Sequence, residues 1–188
     1  MNSLWAYAKI YDDNVCEKII SVVKKRNFSW GLTENNNEQS RKNKVAWVKK
    51  NDSELNFLFN DMWALIGNVN AEHFRVNILE LPEIQIAEYH SKYNGFYDTH
   101  PDVDFLSHNQ HNGYQRKISF TIQLSNSKNY DGGDFYFSDD NMMHPNSDEL
   151  RQQGIVLLFP SFLPHGVKKV TRGVRYSIVG WFEGPGWC

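Results

Sequence analysis

The feature that most constrains the fold of this chain is a series of short β-rich runs that follows Phe74. Eight such runs are separated by residues typical of turns, chiefly Gly, Pro, Asn and Asp. Eight short strands within about one domain's length favour a jelly roll of two packed sheets. The runs cover residues 74–79, 84–89, 96–103, 117–124, 134–137, 154–159, 165–170 and 174–182.

The part of the chain before these runs predicts one short strand and two helices. A strand is expected at residues 5–10, and a cluster of N-cap formers at residues 12–14 precedes a helix over 15–25. A second apolar stripe predicts a helix from about residue 52 or 53 to 68. The expected fold class is therefore mainly β with flanking helices (α+β). We predict one domain over residues 1–188, with 1–72 as a helical support that braces one sheet and 73–188 as the jelly-roll core.

Composition excludes several classes of function. With 20 basic and 22 acidic residues, the formal net charge is −2, which argues against a general binder of nucleic acid or anionic membranes. The basic cluster around Arg41 has acidic neighbours and is expected to be solvated. The first residues lack the pattern of a signal peptide, and Cys16 and Cys188 lack metal-binding spacing. A cytoplasmic location is the expectation.

A candidate metal site lies in two separate segments. In a strand, residues i and i+2 point to the same face, so His100 and Asp102 can converge on one ion. A buried run that ends in a Pro-containing turn could present His165 from a facing strand. Two histidines and one carboxylate form the facial triad that holds Fe(II) and leaves positions open. The other five histidines are expected to be structural or solvent-facing: His73, His90, His108, His111 and His144.

A candidate anion site follows the second histidine. Along the last predicted strand, Arg175, Ser177 and Val179 share one face. A guanidinium buried beside a metal favours a carboxylate that it can bind with two hydrogen bonds. A small acid that spans the metal and Arg175 would satisfy both. Arg172 is a rival for this role, although its place in a Thr-Arg-Gly turn favours a solvated side chain.

These motifs, in order and at this spacing, resemble a known family. The elements are His100-Pro101-Asp102, Gly132-Gly133-Asp134-Phe135, His165 and Arg175-Tyr176-Ser177. Together they resemble the Fe(II)/2-oxoglutarate dioxygenases, most closely the prolyl 4-hydroxylase-like group. The resemblance extends over residues 80–183 and includes Tyr97-Asp98-Thr99-His100 and the strand 117–125.

The resemblance implies a set of residues and cofactors. Fe(II) would be bound by His100, Asp102 and His165. 2-Oxoglutarate would be bound by Arg175, Ser177, Tyr89 and Gln123, with Tyr93 as a rival to Tyr89. The implied reaction uses O₂ to convert 2-oxoglutarate to succinate and CO₂ while hydroxylating a prolyl residue of a peptide or protein, with ascorbate as an optional further cofactor. A small-molecule substrate stays open.

Two other classes of function compete with this one. A cupin-like metal-dependent isomerase or cosubstrate-independent dioxygenase would explain the triad but give Arg175 no role. A noncatalytic peptide- or sugar-binding jelly roll could line its groove with Trp30, Trp47, Trp63 and Trp181, although Trp is more often part of a core. Substrate choice is expected to depend on loops, and the candidate substrate lids are residues 27–50 and 103–116.

Overall fold

The computed structural model describes residues 4–31, 40–105 and 113–187. Three α-helices are present in these ranges: α1 (Asp13–Val23), α2 (Phe57–Val69) and α3 (Ser147–Leu150). The strands are β1 (Ala6–Lys9), β2 (Ser29–Trp30), β3 (Arg41–Lys42), β4 (Lys44–Lys49), β5 (Glu83–His90), β6 (Phe96–His100), β7 (Gln115–Gln123), β8 (Tyr130–Gly132), β9 (Phe135–Phe137), β10 (Ile155–Pro160), β11 (His165–Val167) and β12 (Val170–Gly184).

The strands form two antiparallel sheets. The major sheet has the order β1-β10-β7-β12-β5-β4-β2, and β8 pairs with β12 beside it. The minor sheet has the order β3-β6-β11-β9. This is the arrangement of a double-stranded β-helix, so the predicted mainly β jelly roll with flanking helices is confirmed.

Helices α1 and α2 cover the outer face of the major sheet. Asp12 caps the N-terminus of helix α1, and its side chain accepts the backbone N–H of Val15 at 2.9 Å, as the cluster of N-cap formers predicts. Alternation along the strands sends apolar side chains to the helices and the intervening residues to the other face. The core that results joins Ile19, Val23, Leu58, Met62 and Ile66 of the helices to Ile84, Ile86, Ile118, Ile122 and Ile178 of the strands. Among the described helices, none is both long and apolar enough to cross a membrane.

The expected strand at residues 74–79 is wrong. A π-helical turn, Asn70–Phe74, continues α2, and Arg75 then takes a left-handed conformation with φ 56°. The Asn70 side chain makes hydrogen bonds to both backbone groups of Val76. It accepts the Val76 N–H at 3.0 Å and donates to the Val76 carbonyl oxygen at 2.8 Å. These side-chain bonds replace the partners that a strand ladder would have supplied to this segment.

The expected turn at residues 171–173 is also wrong. These residues belong to β12, where Arg172 pairs with Asp131 of β8 and Gly173 pairs with Tyr130. Gly173 has φ 72°, so it lets the strand pass close to Asn129 without ending. A neighbouring strand with the right register therefore overrides the local turn signal.

The N-terminal segment 1–72, expected to be a helical support, also contributes strands. It supplies β1, β2 and β4 to the major sheet and β3 to the minor sheet. Strand β4 pairs with β5 along its whole length, from Lys44 opposite Glu88 to Lys49 opposite Glu83. The boundary expected between residues 72 and 73 therefore passes through shared sheets, and the single domain over 1–188 stays a prediction.

Candidate active site

A cavity of about 790 Å³ lies between the two sheets. The minor sheet supplies His100 and His165 to its wall, and the inner face of the major sheet supplies Gln85, Ser177 and Val179. The mouth carries aromatic side chains, among them Trp47, which is 42% exposed. A concave site of this volume is typical of a pocket for a small molecule or a substrate side chain.

The two predicted histidines and Asp102 meet at this wall. His100 ends β6 and His165 begins β11, where the two residues are directly paired across the strands. Asp102 lies two residues beyond β6, and its backbone N–H donates to the carbonyl oxygen of Ser161 at 2.8 Å. The His100 Nε2 is 3.6 Å from Asp102 Oδ1, and the His165 Nε2 is 3.4 Å from Asp102 Oδ2.

Both imidazoles are oriented by backbone carbonyl groups. The His100 Nδ1 lies 2.8 Å from the oxygen of Asp98, and the His165 Nδ1 lies 2.8 Å from the oxygen of Leu163. A carbonyl oxygen accepts, so each Nδ1 carries the proton and each Nε2 offers its lone pair. One ligand atom from each of the three residues lies within 4.8 Å of the others. The donor set therefore fits a divalent cation such as Fe(II).

The electrostatics of the cluster suit a metal site as well. Burial alone would raise the pKa of Asp102, but His165, His100 and Arg116 together lower it well below its usual value. Burial lowers the pKa of His165, although Asp102 opposes the shift. A charged carboxylate beside a neutral imidazole is the protonation state that a cation requires of its ligands.

Aromatic side chains pack against both imidazole rings. Tyr97 stacks on His100 with ring centroids 3.6 Å apart, and Phe159 contacts His165 edge-on with centroids 4.6 Å apart. The guanidinium of Arg41 covers the Tyr97 ring at 4.4 Å and donates to Gln85 Oε1 at 2.9 Å. The expectation that the basic cluster around Arg41 is solvated is therefore wrong for Arg41 itself.

The residues expected to bind 2-oxoglutarate lie together beside this cluster. Arg175 is buried, and its Nε donates to Gln123 Oε1 at 3.0 Å while Nη1 approaches Ser177 Oγ at 3.5 Å. The Arg175 guanidinium lies 5.6 Å from the Tyr89 ring centroid. Within the described ranges, no carboxylate oxygen lies within 4.0 Å of Arg175 as a salt-bridge partner. The guanidinium is thus a buried cation held by neutral groups.

Two of these four residues line the large cavity, and two lie behind it. Tyr89 and Ser177 face the cavity, whereas Arg175 and Gln123 border a separate space of about 10 Å³. Burial raises the pKa of Tyr89, so its phenol stays protonated and can donate a hydrogen bond. Ser177 and Tyr89 therefore stand between the cavity and the buried guanidinium.

The two rival residues lie elsewhere. The Tyr93 hydroxyl donates to the carbonyl oxygen and to the carboxylate of Glu88, at 3.1 and 3.2 Å, and is outside the residues that line the cavity. Arg172 is exposed and binds Asp131 through two bonds of 2.6 and 3.0 Å. The geometry favours Tyr89 over Tyr93 and Arg175 over Arg172.

The Gly132-Gly133 pair makes a tight turn before β9. Gly132 and Gly133 have φ 70° and 68°, and the strand β9 begins two residues later. A Cβ at Gly133 would lie 2.8 Å from a Val170 methyl and 3.1 Å from the Arg175 Cδ. The turn therefore has a second consequence, since it also lets the backbone approach the buried guanidinium.

The tryptophans, lid segments and other histidines named from the sequence differ in whether they line the cavity. Trp30, Trp47 and Trp181 line the cavity, whereas Trp63 packs against Phe182 in the core. Parts of both candidate lids line the cavity, but residues 32–39 and 106–112, with His108 and His111, lie outside the described residues. The other three histidines make local contacts outside the metal cluster: His73 with Phe74, His90 with Lys92 and His144 with Asp139.

The sequence profile of the 2OG-Fe(II) oxygenase superfamily matches residues 84–183, which is more than half of the chain. The chain belongs to the 2OG-Fe(II) oxygenase superfamily. A PKHD-type hydroxylase of Synechococcus is 35% identical over 89 residues, which are 47% of this chain and 37% of that relative. The chain thus matches little more than a third of that relative's length. The superfamily implies Fe(II) as the metal and 2-oxoglutarate as the cosubstrate.

Solved structures of this superfamily share the fold at low sequence identity. A Pseudomonas putida prolyl-4-hydroxylase superposes with a TM-score of 0.73 at 18% identity, covering 98% of this chain and 94% of that one. A Trichoplax adhaerens prolyl hydroxylase, solved with a peptide fragment of the hypoxia inducible factor oxygen degradation domain, gives 0.72 at 19% identity and covers 96% and 83%. The jelly-roll oxygenase fold therefore extends over nearly the whole chain.

Proposed function

We propose that this 2OG-Fe(II) oxygenase is a hydroxylase that acts on a prolyl residue of a peptide or protein and converts 2-oxoglutarate to succinate and CO₂. The observation that carries the proposal is the combination of a metal-binding cluster at the cavity wall with a buried cation behind that cavity. The Nε2 atoms of His100 and His165 converge with Asp102. The Arg175 guanidinium lies on neutral partners behind Tyr89 and Ser177, which line the same cavity. The competing classes of function give Arg175 no ligand.

In this proposal His100, Asp102 and His165 hold Fe(II), which supplies O₂ activation coupled to decarboxylation of the cosubstrate. Asp102 contributes the negative charge that offsets the cation, and the neutral imidazoles contribute lone pairs fixed by their Nδ1 hydrogen bonds. Stacking of Tyr97 on His100 restricts rotation of that ring. These contacts would keep the three ligand atoms in place for the cation.

Arg175 is the proposed partner of the carboxylate at the far end of 2-oxoglutarate. Its Nε bond to Gln123 and its approach to Ser177 direct the remaining guanidinium N–H groups. Ser177 and Tyr89 can each add a hydroxyl donor where the acid passes from the cavity to the guanidinium. Burial of this pair excludes water and strengthens the ion pair that forms on binding.

The proposed substrate enters through the aromatic mouth of the cavity. Trp181 lies under the Arg116 guanidinium at 3.8 Å, and Trp47 lies beside Trp181 with ring centroids 6.3 Å apart. The Arg116 Nε is buried and has no hydrogen-bond partner in the part of the chain that the structure describes. The Trichoplax relative was solved with a peptide, which supports this class of substrate.

The test is succinate release over a panel of proline-containing peptides, with Fe(II), O₂ and ascorbate supplied, followed by mass spectrometry of the peptides. We expect a mass increase of one oxygen on a prolyl residue, matched by succinate. The His165→Ala variant should lose both signals, whereas His144→Ala, a histidine outside the cluster, should keep them. Succinate without any modified peptide would redirect the search to small molecules. Full turnover in His165→Ala would contradict the proposed metal set.

A further inference from the structure

Two buried serine side chains lie behind Asp102. The Ser119 Oγ is 2.6 Å from Asp102 Oδ2, and the Ser161 Oγ is 2.9 Å from the Ser119 Oγ. Ser119 is 1% exposed and Ser161 is fully buried, so water does not compete for these hydroxyl groups. The metal set assigned above does not use either serine.

The number of hydroxyl protons decides which serine is the donor in each of these two hydrogen bonds. Each hydroxyl carries one proton, and the carboxylate of Asp102 is charged and can only accept. Because the Ser119 hydroxyl donates its one hydrogen bond to Asp102, the hydroxyl of Ser161 must be the donor in the hydrogen bond between the two serines. The hydrogen bond from Ser119 to Asp102 is charge-assisted, and the hydrogen bond from Ser161 polarises the Ser119 hydroxyl. The two hydrogen bonds therefore strengthen each other.

The strands that carry the two serines place these hydrogen bonds between the two sheets. Ser119 is in β7 of the major sheet, where its neighbours are Phe159 of β10 and Trp181 of β12. Ser161 follows β10, accepts the backbone N–H of Asp102 and lies four residues before His165. The serine pair therefore joins the segment that carries Asp102, the segment that leads to His165, and the floor of the cavity.

We propose that Ser119, supported by Ser161, is a positioning residue that fixes the orientation of the Asp102 carboxylate, which would hold the metal together with His100 and His165. The Ser119 hydroxyl donates to Oδ2, which lies 3.4 Å from the His165 Nε2, while Oδ1 lies 3.6 Å from the His100 Nε2. The side chain cannot turn without breaking a short buried hydrogen bond. This inference rests on the proposed metal set and names residues that act through Asp102 and do not themselves touch the metal.

The consequence is a loss of metal affinity when the hydroxyl is removed. Partners of metal ligands typically change metal affinity by about 10- to 100-fold. We expect Ser119→Ala to weaken Mn(II) or Co(II) binding by about 10-fold or more, and Ser119→Thr to keep affinity near that of the wild type because the hydroxyl is retained. Ser161→Ala should give a smaller loss, and none in the Ser119→Ala background, since its effect passes through Ser119.

The experiment is calorimetric titration of the metal-free protein with Mn(II), together with the absorption spectrum of the Co(II)-loaded protein, at one fixed pH. The matched control is Ser125→Ala, because Ser125 is also a buried serine near this strand, but it accepts the backbone N–H of Tyr176 at 2.7 Å. The control should lower the melting temperature and leave metal affinity and the Co(II) spectrum unchanged.

Several outcomes would overturn the proposal. Wild-type affinity and an unchanged Co(II) spectrum in folded Ser119→Ala would do so, as would equal losses in Ser119→Ala and Ser125→Ala. If Ser119→Ala fails to fold, Ser161→Ala decides, and unchanged affinity there rejects the hydrogen-bond chain. Absence of metal binding by the wild-type protein would refute the proposed function itself, so failure of the two proposals can be distinguished.

Discussion

Replacing Arg175 gives the sharpest test of how this site binds its cosubstrate. The side chain is 4% exposed, its Nε bond to Gln123 is 3.0 Å long, and its Nη1 lies 3.5 Å from Ser177. A carboxylate that reaches it forms an ion pair away from water. We expect Arg175→Ala to bind metal nearly as the wild type does and to lose most of its affinity for 2-oxoglutarate.

The magnitude follows from the burial of the pair. Loss of one partner of a buried, hydrogen-bonded charge pair costs about 2 to 5 kcal/mol. At 25 °C this raises the Kd by about 30-fold to several thousand-fold. Arg175→Lys should fall between the wild type and Arg175→Ala, because lysine keeps the charge but cannot make the two-pronged contact.

The assay is an anaerobic titration of Fe(II)-loaded protein with 2-oxoglutarate, followed by the metal-to-ligand charge-transfer absorbance, so the unknown substrate is not needed. The matched control is Arg172→Ala, since Arg172 lies three residues upstream in the same strand and is 57% exposed in its pair with Asp131. An exposed pair of this kind contributes little, and the control should bind 2-oxoglutarate normally.

One result would refute this reasoning directly. Wild-type affinity for 2-oxoglutarate in folded, metal-binding Arg175→Ala would remove Arg175 from the cosubstrate site. Loss of affinity in Arg172→Ala alone would transfer the role to that residue, against its position in the structure. Loss of Fe(II) binding in Arg175→Ala would mean that the variant had disturbed the metal site, and Arg175→Lys would then decide.

Three further predictions concern stability and the turn. The hydrogen bond from Arg26 lowers the pKa of Asp52 to about 2, so Asp52→Asn should lower the free energy of unfolding by about 2 kcal/mol above pH 4. That difference should disappear in urea titrations as the pH falls through 2, and a constant difference would contradict it. Gly133→Val should both destabilise the protein and weaken 2-oxoglutarate binding, because its side chain would press on Arg175 from a strained backbone at φ 68°; an unchanged melting temperature would argue against the strain. Gly67→Ala, in a helix with open space around it, should raise stability by about 0.5 to 1 kcal/mol without changing binding, as thermal melts and titrations can show.

The parts of the site that could be predicted from sequence are those set by short-range geometry. The spacing of His100 and Asp102 predicts that they converge, and the structure has their ligand atoms 3.6 Å apart, although the strand ends at His100 and Asp102 lies in the bend that follows. The buried run before His165 is a strand in the structure, β10, followed by a turn. Arg175 and Ser177 likewise share a face because they are two residues apart in β12. Each of these inferences needs one strand and no knowledge of its partners.

The parts that could not be predicted depend on partners distant in the sequence. Strands β2 and β3 have two residues each, which is too short to carry an alternating pattern. From sequence alone Arg41 falls among solvated lysines, but pairing of β3 with β6 sets it opposite Tyr97. Its hydrogen-bond partner, Gln85, is 44 residues away in the sequence. The same dependence explains Arg172, whose turn signal is overridden by pairing with β8.

The register between β6 and β11 is what makes a metal site of these residues. His165 is paired directly with His100, so both imidazoles leave the sheet on the same side and their rings meet at 4.6 Å. A slip of one residue would send one imidazole to the opposite face. Such a slip would put a residue with a Cβ at the position of Gly166. That Cβ would lie 2.6 Å from the Tyr136 hydroxyl and 2.7 Å from the Tyr97 carbonyl oxygen, so the slip is disfavoured. Close packing of β11 between its two neighbours therefore fixes the register, and the register brings together two histidines that lie 65 residues apart in the sequence.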